Sequence, residues 1–306
     1  MPDLLKKYLF EDNTVRVEVA NIRDTWREIQ ARHDYPPAVR RLLGQLVAAG
    51  ALLAANLKFD GTVVLQLQGD GPIGLIVVEC RSDLGMRAIV KIREGHPVPA
   101  DGTLQTLLNP GGGGRFSVML DPQDRQPGQQ PYQGIVALQG DSVAQVLEHY
   151  MATSEQLQTR LWLAADEHCA AGLLLQQLPV QGGKGAPAGE SAETWNRAQT
   201  LADTLRDDEL LAETPDTIVR RLYWQESLRV FEPQQVRYRC TCSREKVADV
   251  LLRLGKAEID DILAEQGRVQ INCDYCVKSF DFDAVDCGEL FANASSTVRH
   301  HSGARH

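Results

Sequence analysis

The sequence is short of positive charge. Its 32 lysine and arginine side chains are outnumbered by 41 acidic ones, which gives a formal net charge of -9. A negative field repels phosphate backbones and anionic lipids, so the composition argues against general binding to nucleic acid or to membranes. The chain also lacks a long hydrophobic run, since the longest one, residues 46–55, has ten residues. A helix that spans a bilayer needs roughly 20, so we expect this run to form a buried helix.

Signals for export and for catalysis are missing as well. The start of the chain has no basic segment followed by an apolar stretch and a cleavage site, so we expect a cytosolic protein. No nucleophile elbow, phosphate loop or dinucleotide fingerprint is present. The run G-G-G-G at residues 111–114 precedes a predicted strand and lacks the Lys-Ser or Lys-Thr of a phosphate loop. We therefore predict that the protein is not an enzyme.

What the chain does contain is the pattern of a large mixed domain of the α+β class. Residues 15–20 alternate as a half-buried strand does, and residues 23–32 and 38–57 have helical spacing. Further strands of an extended β-sheet are predicted at residues 62–68, 73–79, 86–92, 115–120, 134–138 and 160–164. We assign residues 1–178 to this N-terminal domain.

A Gly- and Pro-rich stretch at residues 179–190 marks a boundary, after which two amphipathic helices are predicted. The first has Ser191 as its expected N-cap, and the second covers residues 215–225. Neither is long enough to be stable alone, so each should lay its apolar face on a neighbouring domain. We assign residues 179–232 to a helical linker. Its candidate inter-domain or interaction surface consists of Trp195, Leu201, Leu205, Ile218, Leu222, Tyr223 and Trp224.

Four of the seven cysteines stand in two tight pairs. Cys240 and Cys242 follow residues 234–239, which look extended, and in an extended chain residues i and i+2 project from the same side. Cys273 and Cys276 have the two-residue spacing of a zinc knuckle. The thirty residues between the pairs let the chain fold back. We predict that the four thiolates bind one zinc ion in a closed tetrahedral site.

The purpose of such a site has two interpretations. Zinc can be purely structural, since a module of residues 233–292 is too small to fold well without metal. Alternatively the site senses oxidants, because every ligand is an oxidisable sulfur. Pairing Cys240 with Cys242 and Cys273 with Cys276 would eject the metal, and the one-residue gap of the first pair closes a strained, labile ring.

The surroundings of the pairs bear on these interpretations. Arg239, Arg244 and Lys246 flank the first pair, and nearby cations favour thiolate over thiol. Residues 293–306 form a polar tail, with three of the seven histidines, that we expect to be disordered. The solitary cysteines, which we expect to be ordinary core or surface thiols, are Cys80, Cys169 and Cys287.

Two rival functions for the module are weak. Residues 233–293 hold eight basic and eleven acidic side chains, a net charge of -3 without a basic stripe, which suits nucleic acid poorly. A zinc hydrolase needs an open coordination position, whereas four thiolates close the shell.

The C-x-C, thirty-residue spacer and C-x-x-C arrangement resembles that of the heat shock protein 33 family, the 33-kilodalton chaperonins. The resemblance extends over nearly the whole chain. It includes K-Y-L-F-E (residues 7–11), L-K-F-D-G (57–61), V-V-L-Q-L-Q-G-D-G-P (63–72), S-E-Q-L-Q-T-R-L (154–161) and A-G-L-L-L-Q (171–176).

The resemblance implies an ATP-independent holdase whose reduced, zinc-bound form is inactive. By position, Cys240, Cys242, Cys273 and Cys276 would be both zinc ligands and redox sensors. Oxidation of the two pairs would release zinc and unfold the module and the linker. Apolar surface on the first domain and linker would then bind unfolding client proteins, and the active form would be a dimer. Val277 is a departure, because some relatives carry a smaller or more polar residue there.

Overall fold

The computed structural model describes residues 2–125, 130–179 and 188–302. The chain divides into two compact units, Met1–Arg239 and Cys240–His306. The division lies later in the chain than the linker boundary expected after residue 232. Most of the Gly- and Pro-rich stretch, residues 180–187, lies outside the described residues.

The described strands of the first unit form two six-stranded sheets. The strands are β1 Leu4–Phe10, β2 Val15–Ile22, β3 Gly61–Gln68, β4 Ile73–Arg81, β5 Gly85–Ile92, β6 Arg115–Pro122, β7 Tyr132–Ala137, β8 Thr159–Ala165, β9 Ala170–Gln177, β10 Leu228–Val230, β11 Gln234–Gln235 and β12 Arg237–Tyr238. The first sheet has the order β10-β1-β2-β9-β8, with β11 also paired to β1, and the second has the order β12-β5-β4-β3-β6-β7.

A long buried helix, α2 Pro37–Ala54, lies between these sheets. The other helices of this unit are α1 Asp24–Gln30, α3 Leu104–Leu108, α4 Val143–Thr153, α5 Ala188–Ala202, α6 Asp207–Ala212 and α7 Pro215–Tyr223. Pro37 stands at the first helical position, where a missing N–H costs nothing. Gly44 brings α2 against β8, because a Cβ there would overlap the side chain of Ala165. The apolar run at residues 46–55 is thus the buried helix that the sequence predicts.

The first sheet is buried on both faces. Along β2, Val15, Val17 and Val19 enter one core cluster, whereas Ala20 and Ile22 enter the other, which surrounds α2. Strand β9 alternates in the same way. Strand β9 was not predicted from the sequence, because a strand buried on both faces has no polar and apolar alternation to detect.

Helices α5 to α7 cover the outer face of this sheet, as predicted for the linker. Trp195, Ile218, Leu222 and Tyr223 belong to the cluster formed there with β1, β2 and β9, and Leu201 and Leu205 pack partly buried against it. Trp224 lies outside this cluster, because α7 ends at Tyr223 and the indole is 73% exposed. The expected N-cap at Ser191 is also wrong. The helix begins at Ala188, and the buried Ser191 hydroxyl accepts a hydrogen bond from Gln177 instead.

The second unit is small and contains both predicted helices of the spacer. Its elements are α8 Arg244–Leu254, α9 Lys256–Gln266, β13 Val269–Asn272, β14 Ser279–Phe282 and α10 Ala284–Ser302. The last helix continues past residue 292, where we expected the module to end, since no Pro or Gly interrupts residues 289–301. Residues 303–306 of the predicted tail lie outside the described residues.

Among the described residues, no helix combines the length and the apolar composition that crossing a membrane requires.

Candidate metal centre

The first cysteine pair lies in a short extended connection. Strand β12 ends at Tyr238, and no regular element is formed again until α8 begins at Arg244. Cys240 and Cys242 both lie in this connection and are half-buried. Ser243 then caps α8, since its side chain accepts a hydrogen bond from the backbone N–H of Lys246 at 3.3 Å. The cap fixes where the extended segment ends, one residue after the second thiol.

The second pair lies in the turn of a β-hairpin. Strands β13 and β14 are antiparallel, with Asn272 opposite Ser279, and residues 273–278 connect them. Two backbone hydrogen bonds close the turn, from the Cys273 N–H to the Lys278 carbonyl at 2.9 Å and from the Val277 N–H to the Cys273 carbonyl at 2.8 Å. The hairpin therefore has the form that the two-residue spacing predicts.

The four sulfurs of the two pairs come together. They all lie within 4.8 Å of one another. The Sγ atoms of Cys240 and Cys273 are 3.7 Å apart, and those of Cys242 and Cys276 are 3.4 Å apart. All four thiols are free, so neither contact is a disulfide. A zinc ion with thiolates at about 2.3 Å in a tetrahedron would place the sulfurs about 3.8 Å apart, so the cluster fits such an ion.

The protonation of the cluster depends on whether a cation is present. Burial, followed by hydrogen bonds with the other three thiols, raises the pKa of Cys242 far above its usual value. Burial also raises the pKa of Cys273, although the backbone N–H groups of Tyr275 and Cys276 donate to its sulfur. Without a cation Cys242 and Cys273 keep their protons, whereas a bound divalent ion would favour thiolates.

Two of the three flanking cations that were expected to favour thiolate are paired with carboxylates. Arg239 donates to Asp83 at 2.8 Å, and Arg244 donates to Asp286 at 2.7 Å. Each guanidinium charge is therefore largely balanced by a carboxylate. This pairing was not visible in the sequence because both partners lie far along the chain.

Arg244 has a different role, which the sequence analysis missed. Its guanidinium lies 4.1 Å from the centroid of the Phe282 ring and donates to the Asp281 carbonyl at 2.7 Å. Together with the contact to Asp286, this side chain joins the start of α8 to β14 and to the start of α10. The side chain thus helps to hold the two cysteine-bearing segments together.

The apolar core beneath the cluster is small. It consists of Val247, Leu251, Ile259, Val269, Phe280, Phe282 and Cys287, with Cys242 and Cys273 packed partly buried against it. Seven buried side chains provide little hydrophobic stabilisation for a unit of this length. The geometry therefore favours a module whose fold depends on a bound metal ion.

Val277 has a strained backbone next to the last thiol. Its φ is +61°, the left-handed region, which β-branched residues almost never adopt. The sequence analysis noted the unusual residue here, and the structure supplies the physical reason why a smaller residue would fit better.

The remaining cysteines lie in the core, whereas most of the glycine run is exposed. Cys80, Cys169 and Cys287 are each almost fully buried. In the G-G-G-G run, the N–H groups of Gly111 and Gly113 donate to the Asp70 carboxylate at 3.2 and 2.8 Å. The chain's own carboxylate thus occupies these donors.

Comparisons with known proteins give a consistent result. The family model described as "Hsp33 protein" matches residues 3–283. A 33 kDa chaperonin from Methylobacillus flagellatus is 43% identical over 303 residues, which cover 97% of this chain and 99% of that protein. A 33 kDa chaperonin from Azotobacter vinelandii is 44% identical, also over 303 residues, with the same coverage.

A solved structure shares the fold. The crystal structure of the 33 kDa chaperonin (Heat shock protein 33 homolog) from Thermotoga maritima superposes with a TM-score of 0.80 at 21% identity. It covers 97% of this chain and 100% of that one. The arrangement of sheets, helices and C-terminal module described above is therefore one that a solved structure also adopts.

Removal of the metal should unfold the second unit selectively. When a strong zinc chelator is added to the reduced, zinc-loaded chain, we expect amide hydrogen exchange in α8 and α9 to accelerate by at least about a hundredfold. Exchange in α2 should stay slow, because its core contains no residue of the second unit. Mass spectrometry of peptic fragments measures both. Continued protection of α8 after the metal has left would contradict a metal-dependent fold.

Relief of strain at Val277 should tighten metal binding. We expect Val277→Gly to stabilise the metal-bound module by about 1 kcal/mol, which is about a fivefold gain in zinc affinity. Competition with a chromogenic chelator measures it. The matched control is Val250→Gly, a half-exposed site within α8, where glycine should instead weaken the module by roughly 0.5 kcal/mol. Equal effects of the two substitutions would rule out strain at Val277.

Proposed function

The chain belongs to the Hsp33 family, and from this premise we propose that it is a redox-regulated, ATP-independent holdase that binds unfolding proteins under oxidative stress. The observation that carries the proposal is the cluster of four free thiols within 4.8 Å of one another. The site would hold one Zn²⁺, which supplies the positive charge that keeps four thiolates together. We further propose that the protein acts in the cytosol, catalyses no reaction and forms a homodimer when oxidised.

The proposed switch is the oxidation of the sulfurs. Cys240 and Cys242 form one disulfide, and Cys273 and Cys276 form the other. In each step the two thiolates lose one electron each as the S–S bond forms, and an oxidant such as peroxide accepts both electrons, takes up two protons and is reduced to water. Since every ligand is consumed, no thiolate is left to hold the metal, and the small module loses the interaction on which its fold depends.

The surface that the switch uncovers is the face beneath α5 to α7. Ile218 and Tyr223 are buried there, and the Tyr223 ring lies 5.4 Å from that of Phe10 in an edge-to-face contact. Asp216 adds a polar contact by accepting hydrogen bonds from Tyr8 at 2.9 Å and from Lys6 at 2.6 Å. A contiguous apolar surface of this kind binds other apolar chains once it is exposed.

Oxidation should release zinc and start holdase activity together. The zinc-loaded chain is treated with peroxide at mildly elevated temperature, while a metal indicator reports zinc and light scattering reports the aggregation of a denatured client enzyme. We expect release of about one zinc per chain and suppression of aggregation over the same period. If zinc stays bound, or leaves without any gain of activity, the site is structural and the proposal fails.

Cysteine variants separate the sensor from the other thiols. Cys242→Ser should bind zinc weakly and lose the peroxide-dependent onset of activity. The matched control replaces Cys80, Cys169 and Cys287 together by alanine, which leaves the cluster intact. It should release zinc and gain activity as the unaltered chain does. Loss of the response in the control would place the sensor elsewhere.

Undocking of α7 should uncover the surface without oxidation. Ile218→Asp buries an unpaired charge in the cluster beneath the helix, at a cost of about 3 kcal/mol or more. We expect the reduced, zinc-loaded variant to bind a hydrophobic dye and to suppress client aggregation. Trp224→Gln is the matched control, since that exposed side chain lies at the end of the same helix. A reduced Ile218→Asp variant that stays inactive while α7 exchanges freely would exclude this face as the client surface.

A further inference from the structure

One short segment covers one edge of each large sheet. This segment, residues 228–239, is called here the strap. Strands β10 and β11 within it pair antiparallel with β1, and β12 pairs parallel with β5. Without the strap, β1 and β5 would be the terminal strands of their sheets. The strap ends one residue before the first thiol of the metal centre.

Backbone hydrogen bonds hold the middle of the strap. The N–H of Val236 donates to the Asp3 carbonyl at 3.0 Å. On the other sheet, the N–H of Arg237 donates to the Leu84 carbonyl at 3.1 Å, and that of Arg239 donates to the Met86 carbonyl at 2.8 Å. Any extended polypeptide offers the same N–H groups.

Few side chains of the strap add to these bonds. Val236 is 1% exposed and lies in the core cluster around α2, with Tyr238 packed partly buried beside it. Arg237 and Arg239 both donate to the Asp83 carboxylate at the edge of β5, at 2.6 and 2.8 Å. By contrast, Val230 and Phe231 are 54% and 42% exposed. Val236 is thus the one buried side chain of the strap, which the backbone bonds, the partly buried Tyr238 and the two contacts to Asp83 also hold.

An uncovered sheet edge is a template for strand addition. Its unpaired N–H and C=O groups bind an extended chain whatever its sequence, and a pocket beside the edge selects the alternate side chains. Here the pocket is the place in the core cluster around α2 that Val236 fills, one residue before β12 pairs with β5. The Asp83 carboxylate would favour a basic residue next to it.

We propose that the edge of β5, with the Val236 pocket beside it, accepts an extended segment of an unfolding protein as an added strand in place of the strap. The partner is an unfolded polypeptide with an aliphatic residue at the pocket and basic residues beside it. This rests on the proposed function, since the strap leaves the edge only when the adjoining metal centre is lost.

A peptide copy of the strap tests the edge directly. The probe is a fluorescent decapeptide with the sequence of residues 230–239, titrated against the reduced, zinc-loaded chain and the oxidised chain. We expect binding to the oxidised chain to be at least about tenfold tighter. Methylation of the two backbone nitrogens at the positions of Arg237 and Arg239 removes both donors and should weaken binding at least about tenfold. A peptide with aspartate at the position of Val236 should bind no better than the methylated one.

A strap variant tests the edge without oxidation. Val236→Asp should undock the strap, so that the reduced full chain binds the peptide while it retains its zinc. Val230→Asp is the matched control, because that side chain lies in the same strap but is 54% exposed. The control should not bind the peptide. Hydrogen exchange at β5 shows whether the strap has left, and bound zinc with a protected α2 shows that both units are folded.

The outcomes separate this inference from the function it rests on. If the oxidised chain suppresses client aggregation but binds the methylated and unmethylated peptides equally, strand addition at β5 is wrong and the holdase stands. If Val236→Asp exposes β5 but fails to bind the peptide, strand addition is likewise wrong. If Val236→Asp binds the peptide but the oxidised chain does not suppress aggregation, strand addition at β5 is supported and the proposed holdase activity is wrong.

Discussion

Four thiol sulfurs lie within 4.8 Å of one another, and four thiolate charges at such distances need a cation among them. The second unit is built around this constraint. The hairpin turn, the Ser243 cap and the Arg244 contacts all position cysteine-bearing backbone. The apolar core beneath is too small to compensate for loss of the site. A fold that depends on the metal ion bound by these sulfurs is therefore what we propose for this unit.

The cysteine cluster follows directly, in sequence, on segments that belong to the first unit. The residues just before Cys240 close the edges of two sheets, and the helices before them cover the outer face of the first sheet. These segments are consecutive in sequence, and backbone bonds, the buried Val236, the contacts to Asp83 and a single apolar layer hold them. In the function that we propose, loss of order at Cys240 would first release the end of the strap. The cover of the apolar face would follow in sequence order, so no signal would have to cross the core.

The sequence predicted what local spacing determines, and missed what depends on distant partners. The two cysteine pairs, the buried helix α2 and the linker helices follow from spacing and periodicity within a few residues. Strand β9 could not be predicted because its neighbours bury it on both faces. The left-handed backbone of Val277 and the pairing of Arg239 with Asp83 were likewise invisible, since a turn geometry and a contact between remote residues set them.

The two faces of the first sheet pack in two separate apolar clusters. On its inner side, residues such as Ile22 and Leu174 pack around α2 in a cluster that includes no residue of α5, α6 or α7. On its outer side, Val17 and Leu173 pack under those helices. Because the two clusters share no side chain, removal of the helices exposes the outer face and leaves the inner core intact. A sheet apolar on both faces requires such a cover in water. The proposed function would use this separation, because helices that leave while the inner core remains folded would uncover a stable surface for other chains.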